Sequence, residues 1–133
     1  MENWLSKRAR LSPQRCAVRT KHEKLTFAEL QQQVLQQAGR IKQLQPTGRI
    51  AILTDNTLPG YLTILALQQL GFAPVLLNQR LSVDELSQQL TDAAVTLCLA
   101  ADQLVRPLPV KVVSFSQLAQ QVPLPVTPPV EFD

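Results

Sequence analysis

Two polar clusters are the places where this sequence could do chemistry: Asp55-Asn56-Thr57 and Asn78-Gln79-Arg80, each directly after an apolar run. Ligands of an open parallel sheet bind outside the carboxyl ends of its strands, so loops of this kind are where binding groups belong. Each cluster also has a plainer role. Asp55 or Asn56 suits a helix cap, Asn78 a turn, and Arg80 an anchor to a neighbouring loop. Neither cluster is assigned a catalytic role.

The remaining reactive side chains add no site. His22, the single histidine, lies in the polar run Lys21-His22-Glu23-Lys24 with no Ser, Cys or Asp cluster around it, and reads as a solvated surface group. Cys16 and Cys98 each fall in a strand-like run and are expected to be buried free thiols. Their spacing matches no metal pattern, and a disulfide does not suit a reducing compartment. Asp84 and Glu85 occupy a helix first turn, where acids favour the macrodipole. Gly39, Gly48, Gly60 and Gly71 are isolated, so no glycine-rich loop can cradle a phosphate with backbone N–H groups. Catalytic, cofactor-binding and metal-ligating residues are therefore all expected to be absent from this stretch.

The elements that would position these residues alternate in period. Residues 3–10 predict a short helix capped by Asn3, and Ser12-Pro13 is a second helix-start signal. Cys16–Thr20 and Lys24–Thr26 flank a polar turn and predict a β-hairpin. Thr26 and Glu29 form a capping box, with Leu25 and Leu30 at staple positions. Phe27, Leu30, Val34, Ala38, Ile41 and Leu44 then recur at helical spacing, which carries that helix to about residue 44. The glutamines among them (Gln31, Gln32, Gln36, Gln37, Gln43) read as a solvated face, and Pro46 with Gly48 ends the element.

Arg49–Thr54 is a continuous apolar strand, of the kind buried on both faces. A helix over about 58–70 follows, capped by Asp55, Asn56 and Thr57, with Pro59 in its first turn and Gly71 as its stop. Ala73–Leu77 predicts the next strand. Ser82 and Glu85 repeat the capping box, and a helix runs from there to about Ala93. Val95–Ala100 and Val110–Ser114 are two further strands, and Ser116 is placed as the cap of a short helix over 117–121. Strands and helices alternating at this spacing predict an α/β fold: a parallel sheet with helices on both faces, preceded by an N-terminal β-hairpin.

Composition sets the broad class. The chain has 133 residues, 45% hydrophobic and 17% charged, with a formal net charge of +3, which fits one folded domain rather than a disordered tail. The stretch Leu58–Leu77 is broken by Pro59, Gly60, Gly71 and Pro74, so no single membrane-spanning helix is expected, and no secretory signal is visible. These features suggest a cytoplasmic protein. Residues 1–24 hold seven Lys or Arg against two Glu. This basic end is expected to be a solvated helix face, without nucleic-acid or membrane contact. After Val122 the texture changes, with Pro123, Pro125, Pro128 and Pro129 close together. Residues 1–122 accordingly read as the folded part and 123–133 as an extended Pro-rich segment.

Several runs carry a family resemblance. Asn3-Trp4-Leu5, Arg8-Ala9 and Leu11-Ser12-Pro13-Gln14-Arg15-Cys16-Ala17 resemble the opening of acyl-adenylate-forming (AMP-binding) ligases. Leu25-Thr26-Phe27-Ala28-Glu29-Leu30 is similar to that superfamily's hairpin-to-helix passage, and Arg49-Ile50-Ala51-Ile52-Leu53-Thr54-Asp55-Asn56-Thr57 to one of its strands. The run from Leu67 through Val75-Leu76-Leu77-Asn78-Gln79-Arg80-Leu81-Ser82 resembles a further stretch. Within the superfamily, the Asn-Trp-Leu start and the Leu-Asn-x-Arg-Leu-Ser run resemble the 2-succinylbenzoate–CoA ligases of menaquinone biosynthesis.

The resemblance implies a parent enzyme that adenylates a carboxylate with ATP and Mg²⁺ and transfers the acyl group to coenzyme A. It implies that this chain is the N-terminal part of the large AMP-binding domain, and that 123–133 leads toward a phosphate-binding loop outside it. The superfamily's Ser/Thr/Gly-rich loop, adenine and ribose motifs and C-terminal lysine match no position here. The chain alone is therefore expected to be an inactive scaffold, with the rest of the ligase as its partner. An uncovered sheet face or edge would then favour self-association. Two other readings stand beside it: a piece of another acyl-CoA synthetase, or a stand-alone α/β binding module.

Overall fold

A computed structural model describes residues 4–20 and 23–126. Helix α1 (Trp4–Leu11) leads into strands β1 (Cys16–Arg19) and β2 (Lys24–Thr26), which pair antiparallel as the expected hairpin. The Asn3 cap and His22 lie outside the described residues. Ser12-Pro13 does not start a helix. Ser12–Arg15 is instead a turn, tied by the Arg15 N–H to the Ser12 carbonyl at 3.1 Å, because one helical turn later the chain is already in β1.

Helix α2 (Phe27–Gln43) begins at the capping box read from Thr26 and Glu29. The Thr26 hydroxyl accepts from the Glu29 N–H at 3.2 Å, and the Glu29 carboxylate accepts from the Thr26 N–H at 2.9 Å. The same exchange starts α4 (Val83–Asp92), between Ser82 and Glu85. A third box, between Ser114 and Gln117, starts α5 (Phe115–Ala119). That moves the cap of the last helix from the expected Ser116 to Ser114, the final residue of β6 (Lys111–Ser114).

Four parallel strands make the sheet, in the order β4 (Val75–Leu76), β3 (Arg49–Leu53), β5 (Val95–Ala100), β6. β4 is shorter than the expected Ala73–Leu77, since Pro74 has no N–H to offer the ladder. The Leu77 N–H still donates to the Ile52 carbonyl at 3.0 Å. β3 is buried from Ile50 through Leu53, as its unbroken apolar run required. One face of the sheet carries Ile50, Leu97, Leu99 and Val113 into a core with α2 and with α3 (Leu58–Gln69), joined by Leu5, Leu25 and Leu118. The other face carries Ala51, Leu53, Cys98 and Ala100 into a core with Leu86 and Leu90 of α4.

Helix ends show where local chemistry was less visible. α3 stops in a Schellman arrangement: Gly71 stands at φ +84°, its N–H donates to the Gln68 carbonyl at 3.1 Å, and the Phe72 N–H reaches the Leu67 carbonyl at 2.9 Å. α2 and α4 end in the same left-handed backbone, but on Gln45 (φ 51°) and Ala94 (φ 53°). No helix among the described residues is long and apolar enough to cross a membrane.

Candidate functional site

β4 lies on one side of β3 and β5 on the other, so the chain reverses its direction of travel across the sheet between β3 and β5. In open parallel sheets that reversal opens a crevice at the strands' carboxyl ends. Here the Ala101 N–H donates to the Leu53 carbonyl at 2.9 Å, closing the crevice floor. Above it lies a groove of about 710 Å³, bounded by Gln33, Gln37 and Arg40 of α2, by Asp55 and Thr57 after β3, and by Asp102 and Phe115 beyond β5.

The two carboxylates at the groove are committed to structure. Asp55 accepts from the Thr57 hydroxyl at 2.7 Å and from the Gln103 amide at 2.6 Å. Asp102 accepts from the Ser116 N–H at 3.0 Å and from the Ser116 hydroxyl, and these bonds hold its carboxyl below the usual range. Asp55 and Asn56 are therefore not helix caps. Thr57 holds the N-cap position of α3, but its hydroxyl is spent on Asp55.

Arg40 is the groove's cation. One terminal nitrogen donates to the Gln37 side-chain oxygen at 3.1 Å, while its Nε is buried without a hydrogen-bond partner among the described residues. Gln37 in turn donates to the Thr63 hydroxyl at 3.1 Å, across the α2–α3 interface. The expected solvated glutamine face thus needs correction: Gln37 is buried, and Gln31 donates to the Ser6 hydroxyl at 3.1 Å. Polar residues spaced on one helix face cannot be told from a solvated face until a second helix covers them.

The second expected cluster lies away from the groove, beside β4. The Asn78 side-chain oxygen accepts from the Arg80 N–H at 2.9 Å, which makes Asn78 the turn former it was read to be. Arg80 is exposed and is not the loop anchor. Arg106 takes that role, donating to the Leu81 carbonyl at 2.6 Å and the Gln79 carbonyl at 2.7 Å. No signal in the sequence singled out Arg106.

The thiols also separate. Cys98 is buried on β5, and burial pushes it up to about 11. Cys16 is exposed, contrary to expectation. It opens the first strand of a two-stranded hairpin, next to a register irregularity between Cys16 and Val18. Among the described residues no cluster of three His, Cys, Asp or Glu could hold a metal ion. Gly39 and Gly60 lie inside helices, and Gly48 and Gly71 are separate left-handed residues outside them.

Helices on both faces of a parallel sheet, with a groove at the reversal point, define a doubly wound α/β domain. The sequence matches the AMP-binding enzyme family over residues 5–129, and the chain belongs to that family. It is 40% identical over 120 residues to the 2-succinylbenzoate–CoA ligase of Bacillus cytotoxicus, an alignment covering 89% of this chain and 25% of that protein. It is 41% identical over 107 residues to the ligase of the same name from Listeria monocytogenes, covering 79% and 23%. Among solved structures it superposes on Bacillus subtilis o-succinylbenzoate coenzyme A synthetase in complex with AMP, with a TM-score of 0.89 and 27% identity, over 97% of this chain and 35% of that one. The same enzyme in complex with ATP and magnesium superposes with a TM-score of 0.84. The chain spans about a quarter of the length of the curated relatives it matches.

Proposed function

We propose that this chain forms the first sheet layer of an ATP-dependent acid–thiol ligase that adenylates 2-succinylbenzoate and transfers the acyl group to coenzyme A, and that its own residues are a non-catalytic scaffold. The observation that carries the substrate is the 40% identity over 120 residues to a 2-succinylbenzoate–CoA ligase. ATP, Mg²⁺ and coenzyme A enter with the reaction, and the remainder of the ligase supplies the groups that touch them. Its contact surfaces are the open groove beside Arg40 and the outer edges of β4 and β6, each paired on one side only among the described residues.

The test is to express the complete open reading frame of the gene and supply ATP, Mg²⁺, coenzyme A and 2-succinylbenzoate. Thioester and AMP are expected from that protein, and neither from the 133-residue chain alone. Adenylate made by this chain alone overturns the scaffold role. Preference for another acid in a panel of aryl and acyl carboxylates makes the parent a different acyl-CoA synthetase. A reading frame that closes directly after Asp133 overturns the ligase reading in favour of a stand-alone binding module.

A further inference from the structure

Helix α2 contains a buried glycine, Gly39, although glycine is a poor helix former in a helix interior. The space left by its missing side chain is filled by backbone. A Cβ at residue 39 would collide with the Leu124 carbonyl oxygen, and would stand 2.9 Å from the Leu124 nitrogen and 3.1 Å from the Pro123 Cβ. The Leu124 N–H donates to the Gly39 carbonyl at 3.2 Å, and Val126 packs against the core shared by α2 and α3. Gln36 of α2 borders both this crossing and the large groove. The start of the Pro-rich segment is therefore a strap seated on α2 beside the groove.

We infer that Gly39 is a positioning residue: the notch it leaves in α2 seats the backbone of Pro123–Val126 and so fixes where the polypeptide beyond residue 126 departs relative to the groove. This goes beyond the scaffold role proposed above, which assigns no residue the task of directing the chain. The physical requirement is specific, because the collision is with a main-chain oxygen that no rotamer change can move.

Thiol labelling on the 133-residue chain tests it. Cys16→Ser removes the exposed thiol, and Val126→Cys places a reporter where the strap meets the core. Buried Cys98 reports whether the whole chain stays folded. Introducing Gly39→Ala into that background is expected to raise labelling at position 126 at least tenfold while Cys98 stays protected. Leu124→Pro, which deletes the donor to Gly39 and leaves α2 untouched, is expected to do the same. Unchanged labelling at 126 in Gly39→Ala, with Cys98 protected, overturns the inference. If Gly39→Ala exposes Cys98 as well, Leu124→Pro decides: release at 126 alone supports the seat, and no release overturns it. The labelling needs neither ATP nor coenzyme A. Its failure is therefore distinct from failure of the ligase reading, which would show as absent thioester from the complete open reading frame with Gly39 intact.

Discussion

At the scale of single residues, the two thiols and Asp102 make contrasting claims about pH and reactivity. Cys16 is expected to react with a thiol reagent in the folded chain, and Cys98 only after denaturant is added, because one is exposed and the other buried. Cys98 also sets a stability slope. Its thiol ionises near its ordinary value of 9.0 in the unfolded chain but near 11 when folded, so above pH 9 the unfolded state loses its proton first. Stability from this group should then fall between about pH 9 and 11, by about 2–3 kcal/mol at most. Urea titrations across that range on the wild type and Cys98→Ala check it, since the variant should lack that part of the slope. Asp102 works at the other end. Its folded pKa is depressed by the Ser116 bonds, so its contribution is present above the unfolded pKa and is lost as pH falls through the folded one. Hydrogen exchange at the Ser116 amide should accelerate there beyond its intrinsic pH dependence, and Asp102→Asn should remove that extra step.

Secondary elements show which features were legible and why. The boxes at Thr26/Glu29 and Ser82/Glu85 could be read directly, because both partners of each lie within four residues and an apolar helical period follows at once. The box at Ser114/Gln117 was missed because its cap is also the last residue of β6, where the strand pattern hides it. The ends of α2 near Leu44, read from Pro46 and Gly48, and of α4 near Ala93 stand where expected, but the left-handed residue beyond a helix was legible only where glycine marks it. Gly71 was recognisable; Gln45 and Ala94 adopt the same left-handed backbone with no such mark. Ala94 carries the steric cost of that backbone, so Ala94→Gly should stabilise the chain by about 1 kcal/mol, and Gly71→Ala should destabilise it by a similar amount. Urea midpoints at constant m-value check both. A stabilised Gly71→Ala would show that the Schellman turn does not hold the left-handed strain attributed to it.

For the whole molecule, the parallel sheet and its two helical layers followed from the alternation of periods, whereas the groove did not. Its walls come from α2, from the turn after β3 and from the chain around α5, which no local pattern connects. Gln37 became visible only once Thr63 of α3 was placed against it, and Arg40 only through its hydrogen bond to Gln37. The sheet's outer limits carry the last expectation. β4 is two residues long, pairs only with β3 among the described residues, and presents Leu76 at 63% exposure. An apolar residue on an open edge is a template for pairing with another chain, and a charged residue there opposes it. The chain should therefore associate reversibly as its concentration rises, and Leu76→Lys should weaken that association severalfold while leaving the urea midpoint nearly unchanged, because Leu76 contributes little buried area. Sedimentation velocity over a concentration series separates the outcomes. Association that persists unaltered in Leu76→Lys would move the sticky surface to the β6 edge or the groove, and a wild-type chain that stays monomeric throughout would show that two residues of edge are too short to recruit a partner.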